Sequence, residues 1–95
     1  MNNIKFHILW LENSLGIAIN QSNSTIDIPL TGYYFWPRND VWEQIRIELS
    51  TKKWITEGEK ILILNSVTEI LNNWQKNTEE EIIQNNNSFT LVAST

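Results

Sequence analysis

The sequence predicts an α+β domain in which an N-terminal antiparallel hairpin or small sheet packs against two C-terminal helices. Two runs of alternating apolar residues predict the hairpin, because residues two apart lie on the same face of a strand. Two later segments combine capping patterns with apolar residues at helical spacing, and they predict the helices. The chain has 95 residues. We therefore expect a single domain over 1–95, with a core at about 4–76 and a tail at 77–95 whose structure the pattern leaves open.

The hairpin strands are expected at 4–10 and 15–20, where alternate residues are apolar, with a polar turn at 12–14 between them. A loop is expected at 21–25. Residues 26–30 follow as an edge segment, since Pro29 cannot donate to a central ladder. Thr31 to Trp36 has strand propensity and could form a third strand that Pro37 ends.

The first helix is expected to begin at Asn39 or Asp40, because Asp40 and Glu43 form a D-x-x-E capping box. Its last turn is expected to hold Lys52 and Lys53, since cations suit the negative end of the helix dipole. Its apolar face is formed by Val41, Trp42, Ile45 and Leu49.

The second helix is expected at about 57–75, because Thr56 and Glu59 form a T-x-x-E capping box at its start. The apolar face of the helix is formed by Ile63 or Leu64, Val67, Ile70 or Leu71, and Trp74.

For residues 88–93, a short last strand and a disordered tail both remain open.

Composition restricts the possible functions. The formal net charge is -4, so the chain has no broad basic face for counterion-driven binding of nucleic acid, and any RNA contact should be local. The absence of Cys excludes disulfides, thiolate catalysis and Cys-based zinc sites. His7 is the single His, and no phosphate-binding loop or metal motif is present. We therefore expect no enzyme activity, no cofactor, no metal, no small-molecule substrate and no membrane span.

Four consecutive aromatic residues run from Tyr33 to Trp36. In an extended segment, Tyr33 and Phe35 face one way while Tyr34 and Trp36 face the other. One pair can therefore fill the core, and the other must be covered by a helix, a partner or water. Arg38 follows directly, and an Arg beside exposed rings can stack, pair with a carboxylate or hold a phosphate.

A second cluster combines two cations with a ring at 52–54. It could be a solvated helix end, or a phosphate contact beside a stacking ring, as in many RNA-loop complexes. The candidate contact residues for a protein or rRNA partner are Tyr34, Trp36, Arg38, Arg46, Lys52, Lys53 and Trp54.

Three blocks of the sequence resemble the plastid-specific ribosomal protein three family, and the resemblance covers about 6–75. The specific part is Tyr34-Phe35-Trp36-Pro37-Arg38, followed by Asp40 and Trp42. The blocks are 9–12 with 16–21, 29–31 with 34–43, and 69–75.

The resemblance implies a structural, non-enzymatic component of the small (30S) subunit of the plastid ribosome. Its partners would be small-subunit ribosomal proteins, with local contacts to 16S-type rRNA. Plant members of the family look nuclear-encoded, with a transit peptide and an N-terminal extension, and we expect neither in this protein. Its many Asn and Ile residues suit an AT-rich genome. We therefore expect a plastid-encoded protein, with the cyanobacterial cytoplasm as the alternative location. The rival functions are an assembly or hibernation factor of the ribosome, and a protein-binding adaptor outside translation.

Overall fold

Two helices pack on one face of a five-stranded sheet, which confirms the predicted α+β class. The computed structural model describes residues 3–22, 25–76 and 89–94. Along the chain, the elements are β1 (Asn3–Trp10), β2 (Leu15–Ser22), β3 (Asp27–Pro29), β4 (Tyr34–Trp36), α1 (Val41–Ser50), α2 (Glu57–Lys76) and β5 (Phe89–Ser94).

Strands β1 and β2 form the predicted hairpin, with a register from Asn3 opposite Ser22 to Trp10 opposite Leu15. The backbone N–H of Leu11 donates to the carbonyl of Ser14 at 3.0 Å and closes the polar turn. The expected loop at 21–25 was partly wrong, because β2 continues to Ser22. Its last two residues stay in the ladder since they pair with both β1 and β3. Residues 23 and 24 lie outside the described part of the chain.

The outer edge of β2 binds two short strands in turn. Strand β3 is the predicted edge segment, and it includes Pro29. Strand β4 is shorter than the expected 31–36, because Thr31 is bonded differently. Its hydroxyl accepts from the N–H of Ile19 at 3.0 Å, and its own N–H donates to the Ile19 carbonyl at 3.1 Å. A side chain thus completes the ladder between β3 and β4.

Strand β5 pairs with β1 in parallel, so the last residues form a strand and the sheet is mixed. The Phe89 ring meets the Phe6 ring edge-on, with centroids 5.2 Å apart, and both rings are buried. The register shifts after Leu91, where Val92 has no partner in the β1 ladder and is about half exposed. The rest of the expected tail, 77–88 and 95, lies outside the described residues.

Helix α1 begins at the predicted cap, where the Asp40 carboxylate accepts from the N–H of Glu43 at 3.2 Å. The prediction that Lys52 and Lys53 lie in its last turn was wrong, because the helix ends at Ser50. Beyond the helix, the N–H of Lys52 donates to the carbonyl of Leu49 in a tight turn. The chain then reaches Ile55, which is buried in the core. Trp42 is only half-buried, so the fully buried face is Val41, Ile45 and Leu49.

Helix α2 has the predicted capping box in both directions. The Thr56 hydroxyl accepts from the N–H of Glu59 at 3.1 Å, and the Glu59 carboxylate accepts from the N–H of Thr56 at 3.0 Å. These bonds hold the pKa of Glu59 below its usual range. At the other end, the indole N–H of Trp74 donates to the Leu11 carbonyl at 2.9 Å and ties the helix to the hairpin turn. The buried residues are Ile63, Val67 and Ile70.

One apolar core joins the sheet to both helices. Its strand residues come from the face that alternation predicted, since they lie two apart along β1 and β2. The most deeply buried side chains, all less than 2% exposed, are Ile8, Leu15, Ile17, Ile19, Leu30, Val41, Ile45, Leu49, Ile63, Val67 and Ile70.

Gly16 lies opposite Phe35, on the sheet face away from the helices. A Cβ at this position would come within 2.7 Å of the Phe35 ring and 3.2 Å of the Leu9 Cβ. The ring therefore occupies the space that a side chain would need.

We predict that Gly16→Ala lowers the free energy of unfolding by about 1 to 3 kcal/mol, because the ring or the backbone must shift. Urea denaturation would measure the change. Gly32→Ala is the matched control, since a Cβ at that position meets nothing within 4 Å. Equal stability of the two variants would contradict the predicted crowding.

Candidate functional site

The aromatic run is divided between the two faces of the sheet. Tyr34 lies opposite Ile17 and Trp36 opposite Leu15, so both rings point to the helix side and pack against the core. Both are half-buried. Of the two pairs that alternation allowed, Tyr34 and Trp36 are the inward pair, and each retains only part of its surface for a partner.

Glu48 of α1 joins two of the predicted contact residues. The Tyr34 hydroxyl donates to one Glu48 oxygen at 2.6 Å, and the Lys52 ammonium lies 3.6 Å from the other. The hydrogen bond to the carboxylate raises the pKa of Tyr34, because ionised Tyr34 could no longer donate and would face a second negative charge. The network attaches β4 to α1 and fixes the Lys52 side chain beside it.

Sequence reasoning missed the outward pair. Phe35 lies over Gly16, and Tyr33 stacks beside it with centroids 6.3 Å apart and an angle of 28° between the ring planes. Tyr33 is 39% exposed. A glycine in the predicted hairpin strand was the available signal, since a ring can lie over a residue that has no side chain.

The four predicted cations differ in their surroundings. Arg46 binds Glu43 through two hydrogen bonds of 3.0 and 2.5 Å, which hold the pKa of Glu43 below its usual range. Arg38 and Lys53 are exposed, and no hydrogen bond or ion pair links them to any described residue. Their charges are therefore the more available ones for a phosphate or carboxylate of a partner.

These cations do not form one cluster. Arg38 precedes α1 and Lys53 follows it, and a helix of ten residues is about 15 Å long. Arg46 lies between them on an exposed side of the helix. The arrangement suits separate, single contacts rather than a continuous basic track.

Trp54 is the most exposed of the predicted ring contacts, at 55%. Its indole N–H donates to the Gln21 side chain at 2.9 Å, and Gln21 is itself buried at the end of β2. Ile28 lies opposite Gln21 in the ladder and is 40% exposed. Trp54 and Ile28 are thus two exposed apolar residues that both neighbour the buried Gln21, and together they form an apolar end of the sheet.

The single histidine lies beside Asn20 in the hairpin. His7 Nε2 lies 3.3 Å from the Asn20 amide nitrogen on the open side of the hairpin. Within the described ranges, no three His, Asp or Glu side chains are grouped to hold a metal ion. Among the described helices, none is both long and apolar enough to cross a bilayer.

Residues 30–77 match the model of a family described as the plastid and cyanobacterial ribosomal protein (PSRP-3 / Ycf65). The chain belongs to this family. The match spans the aromatic run and both helices, so the resemblance carried by Tyr34-Phe35-Trp36-Pro37-Arg38 is confirmed.

Several relatives in the PSRP-3/Ycf65 family are named as proteins of the small ribosomal subunit. Small ribosomal subunit protein cS23 of Gracilaria tenuistipitata var. liui is 52% identical, over 80% of this chain and 77% of that protein. The probable small ribosomal subunit protein cS23 of Synechococcus sp. (strain JA-3-3Ab) is 49% identical, over 79% and 76%. In Hordeum vulgare the protein of the same name is 45% identical over 72% of this chain, which spans 38% of the barley protein.

We predict that Tyr34→Phe lowers the free energy of unfolding at pH 7 by about 1 kcal/mol, through loss of the bond to Glu48. Because the folded state raises the Tyr34 pKa, this contribution is fully present below the usual tyrosine pKa of 10.0 and is lost as the pH rises through the raised value. Urea denaturation at pH 7 and near pH 11 would show the difference shrinking. Tyr33→Phe is the control, since its hydroxyl has no bonded partner among the described residues. An equal loss at both pH values would contradict the assignment.

Proposed function

We propose that the chain is a structural, non-catalytic component of the small (30S) subunit of the plastid ribosome, folded as a single domain. The observation that carries the proposal is membership of the PSRP-3/Ycf65 family over both helices and the aromatic run. Relatives from a red alga, a cyanobacterium and a plant share the name of a small-subunit protein, which supports the same assembly here.

The chain docks mainly on neighbouring ribosomal proteins, and its rRNA contacts are local. A net charge of -4 opposes a broad phosphate interface but suits basic protein neighbours. The apolar end at Trp54 and Ile28 supports a protein contact as well, because exposed Trp residues are enriched where interfaces gain most of their energy. The phosphate contacts are made by Arg38, Arg46, Lys52 and Lys53. Arg38 and Lys53 have no ion-pair partner among the described residues that a phosphate would have to displace.

We propose that the protein acts in the plastid and that the plastid genome encodes it. The abundance of Asn and Ile supports an AT-rich source. The family also includes cyanobacterial proteins, so the cytoplasm of a cyanobacterium is the alternative location.

The first test is sedimentation of ribosomal particles through sucrose with the chain detected by quantitative mass spectrometry. We expect one copy per mature 30S subunit, retained through a high-salt wash. Presence on immature particles alone would identify an assembly factor instead, and presence on idle ribosomes alone would identify a hibernation factor. A chain that sediments apart from ribosomes would support the adaptor function.

The second test changes the two cations without described partners. Arg38→Ala with Lys53→Ala should weaken binding to 30S subunits from a strain without the gene by about tenfold and lower the salt slope by about 2, one for each lost phosphate contact. Lys60→Ala with Lys76→Ala is the control, because it removes the same charge from α2.

Complete loss of binding in the Arg38 and Lys53 double variant would oppose the protein-docking proposal if the unmodified chain also bound naked rRNA tightly. Steep salt dependence of that binding would show that phosphate contacts dominate.

A further inference from the structure

The sheet has a second face, which the proposed protein and cation contacts do not use. The open face is the side away from the helices, and it carries Lys5, His7, Leu9, Ala18, Asn20 and Phe35. Both helices bury their apolar residues against the other side. Tyr33 extends the open face beyond Phe35, on which it stacks.

Two rings form a platform at one edge of the open face. The Phe35 ring lies directly over Gly16, so close that a Cβ at this position would come within 2.7 Å of it. Tyr33 lies beside it at 28°, and 39% of Tyr33 is exposed. Rings held in this way on a sheet are a recurring stacking surface for unpaired bases.

Polar groups that suit a nucleotide lie next to the rings. His7 is opposite Ala18, two residues along β2 from Gly16, so strand geometry puts it roughly 10 Å from the platform. The contact at 3.3 Å between His7 Nε2 and the Asn20 amide leaves the other polar atoms of both side chains for a base edge. Lys5 is exposed beside them and opposite Asn20.

The charge of the domain is divided between its layers. Among the five described strands, Asp27 is the only carboxylate, and the Ser22 hydroxyl donates to it at a corner of the sheet. Of the other described acidic side chains, five belong to the helices, while Glu12 lies in the hairpin turn and Asp40 at the cap of α1. Residues 79–81, which are also acidic, lie outside the described residues. Among the described strand residues, the open face thus has Lys5 and His7 and no carboxylate apart from Asp27 at the corner.

From this arrangement we propose that the open face binds one or two unpaired nucleotides of the ribosomal RNA. A base stacks on Tyr33 and Phe35, His7 with Asn20 contacts a base edge, and Lys5 contacts a phosphate. The proposal rests on the proposed function, since it names the RNA contact of the same ribosomal component. Aromatic rings beside Lys5 favour RNA over a protein neighbour, because any base can stack on the rings while the Lys contacts a phosphate.

Ultraviolet cross-linking of intact 30S subunits, followed by RNase and trypsin, tests the contact directly. Trypsin releases 6–38, which contains His7 and Tyr33, and separately 54–60, which contains Trp54. We expect a nucleotide adduct on 6–38, at Tyr33 or His7. Adducts confined to 54–60, or no adduct on either peptide, would overturn the proposal.

Competition within the subunit provides the energetic test. A tagged Tyr33→Ala chain, expressed beside the untagged chain, should be recovered in 30S subunits about tenfold less than a tagged unmodified chain, since stacking of a single base can contribute that much. Tyr33→Phe keeps the ring and should match the unmodified chain. Ile47→Ala, an exposed change on α1, is the control for a general effect of surface substitution. Thermal unfolding of the purified variants separates loss of fold from loss of contact.

Recovery of Tyr33→Ala equal to that of the unmodified chain would overturn this proposal and leave the proposed function standing. If the unmodified chain itself failed to co-sediment with the 30S subunit, both would be overturned.

Discussion

Strand β2 is bonded along both edges and crowded on both faces, and the other elements take their positions from it. One edge carries the full length of β1, through which β5 joins the sheet. The other edge carries β4, then the Thr31 hydroxyl, then β3. On the helix side, alternate residues of β2 are completely buried. On the opposite side, the Phe35 ring occupies the space that a side chain at Gly16 would need. No other strand in the described sheet has so many partners.

The register between β2 and β4 decides which aromatic rings are available to a partner. With Gly16 opposite Phe35, Tyr34 reaches Glu48 on α1 and the Tyr33–Phe35 pair lies outside. A slip of one residue would exchange the two faces and place a ring against a neighbouring side chain instead of against glycine. The hydrogen bond to Glu48 and the close approach at Gly16 act on opposite faces, and both favour the same register.

Local patterns in the sequence predicted the elements that depend on neighbouring residues. Alternation at 4–10 and the capping box of Thr56 and Glu59 each had a signal within a few residues. The pairing of β5 with β1 joins segments about 80 residues apart and has no such signal. The inward choice of Tyr34 over Phe35 depends on Gly16, and the early end of α1 depends on burying Ile55. The family, in contrast, was recognisable from the aromatic run alone, because the order of its residues is distinctive whatever the rings contact.

An acidic protein in a ribosomal family poses a physical problem, because rRNA repels negative charge at short range. The two layers of this domain reduce it. Most of the described carboxylates belong to the helix layer. Glu43 and Glu57 pair with cations of their own helices, and Glu48 pairs with Lys52, just beyond the end of α1. The sheet layer presents rings together with Lys5 and His7. Net charge is therefore a poor guide to either surface. This division suits the proposed contacts of the helix layer with basic proteins and of the open face with RNA. Stacking and apolar burial add binding energy that salt screens little, so the salt slope should report only the few phosphate contacts.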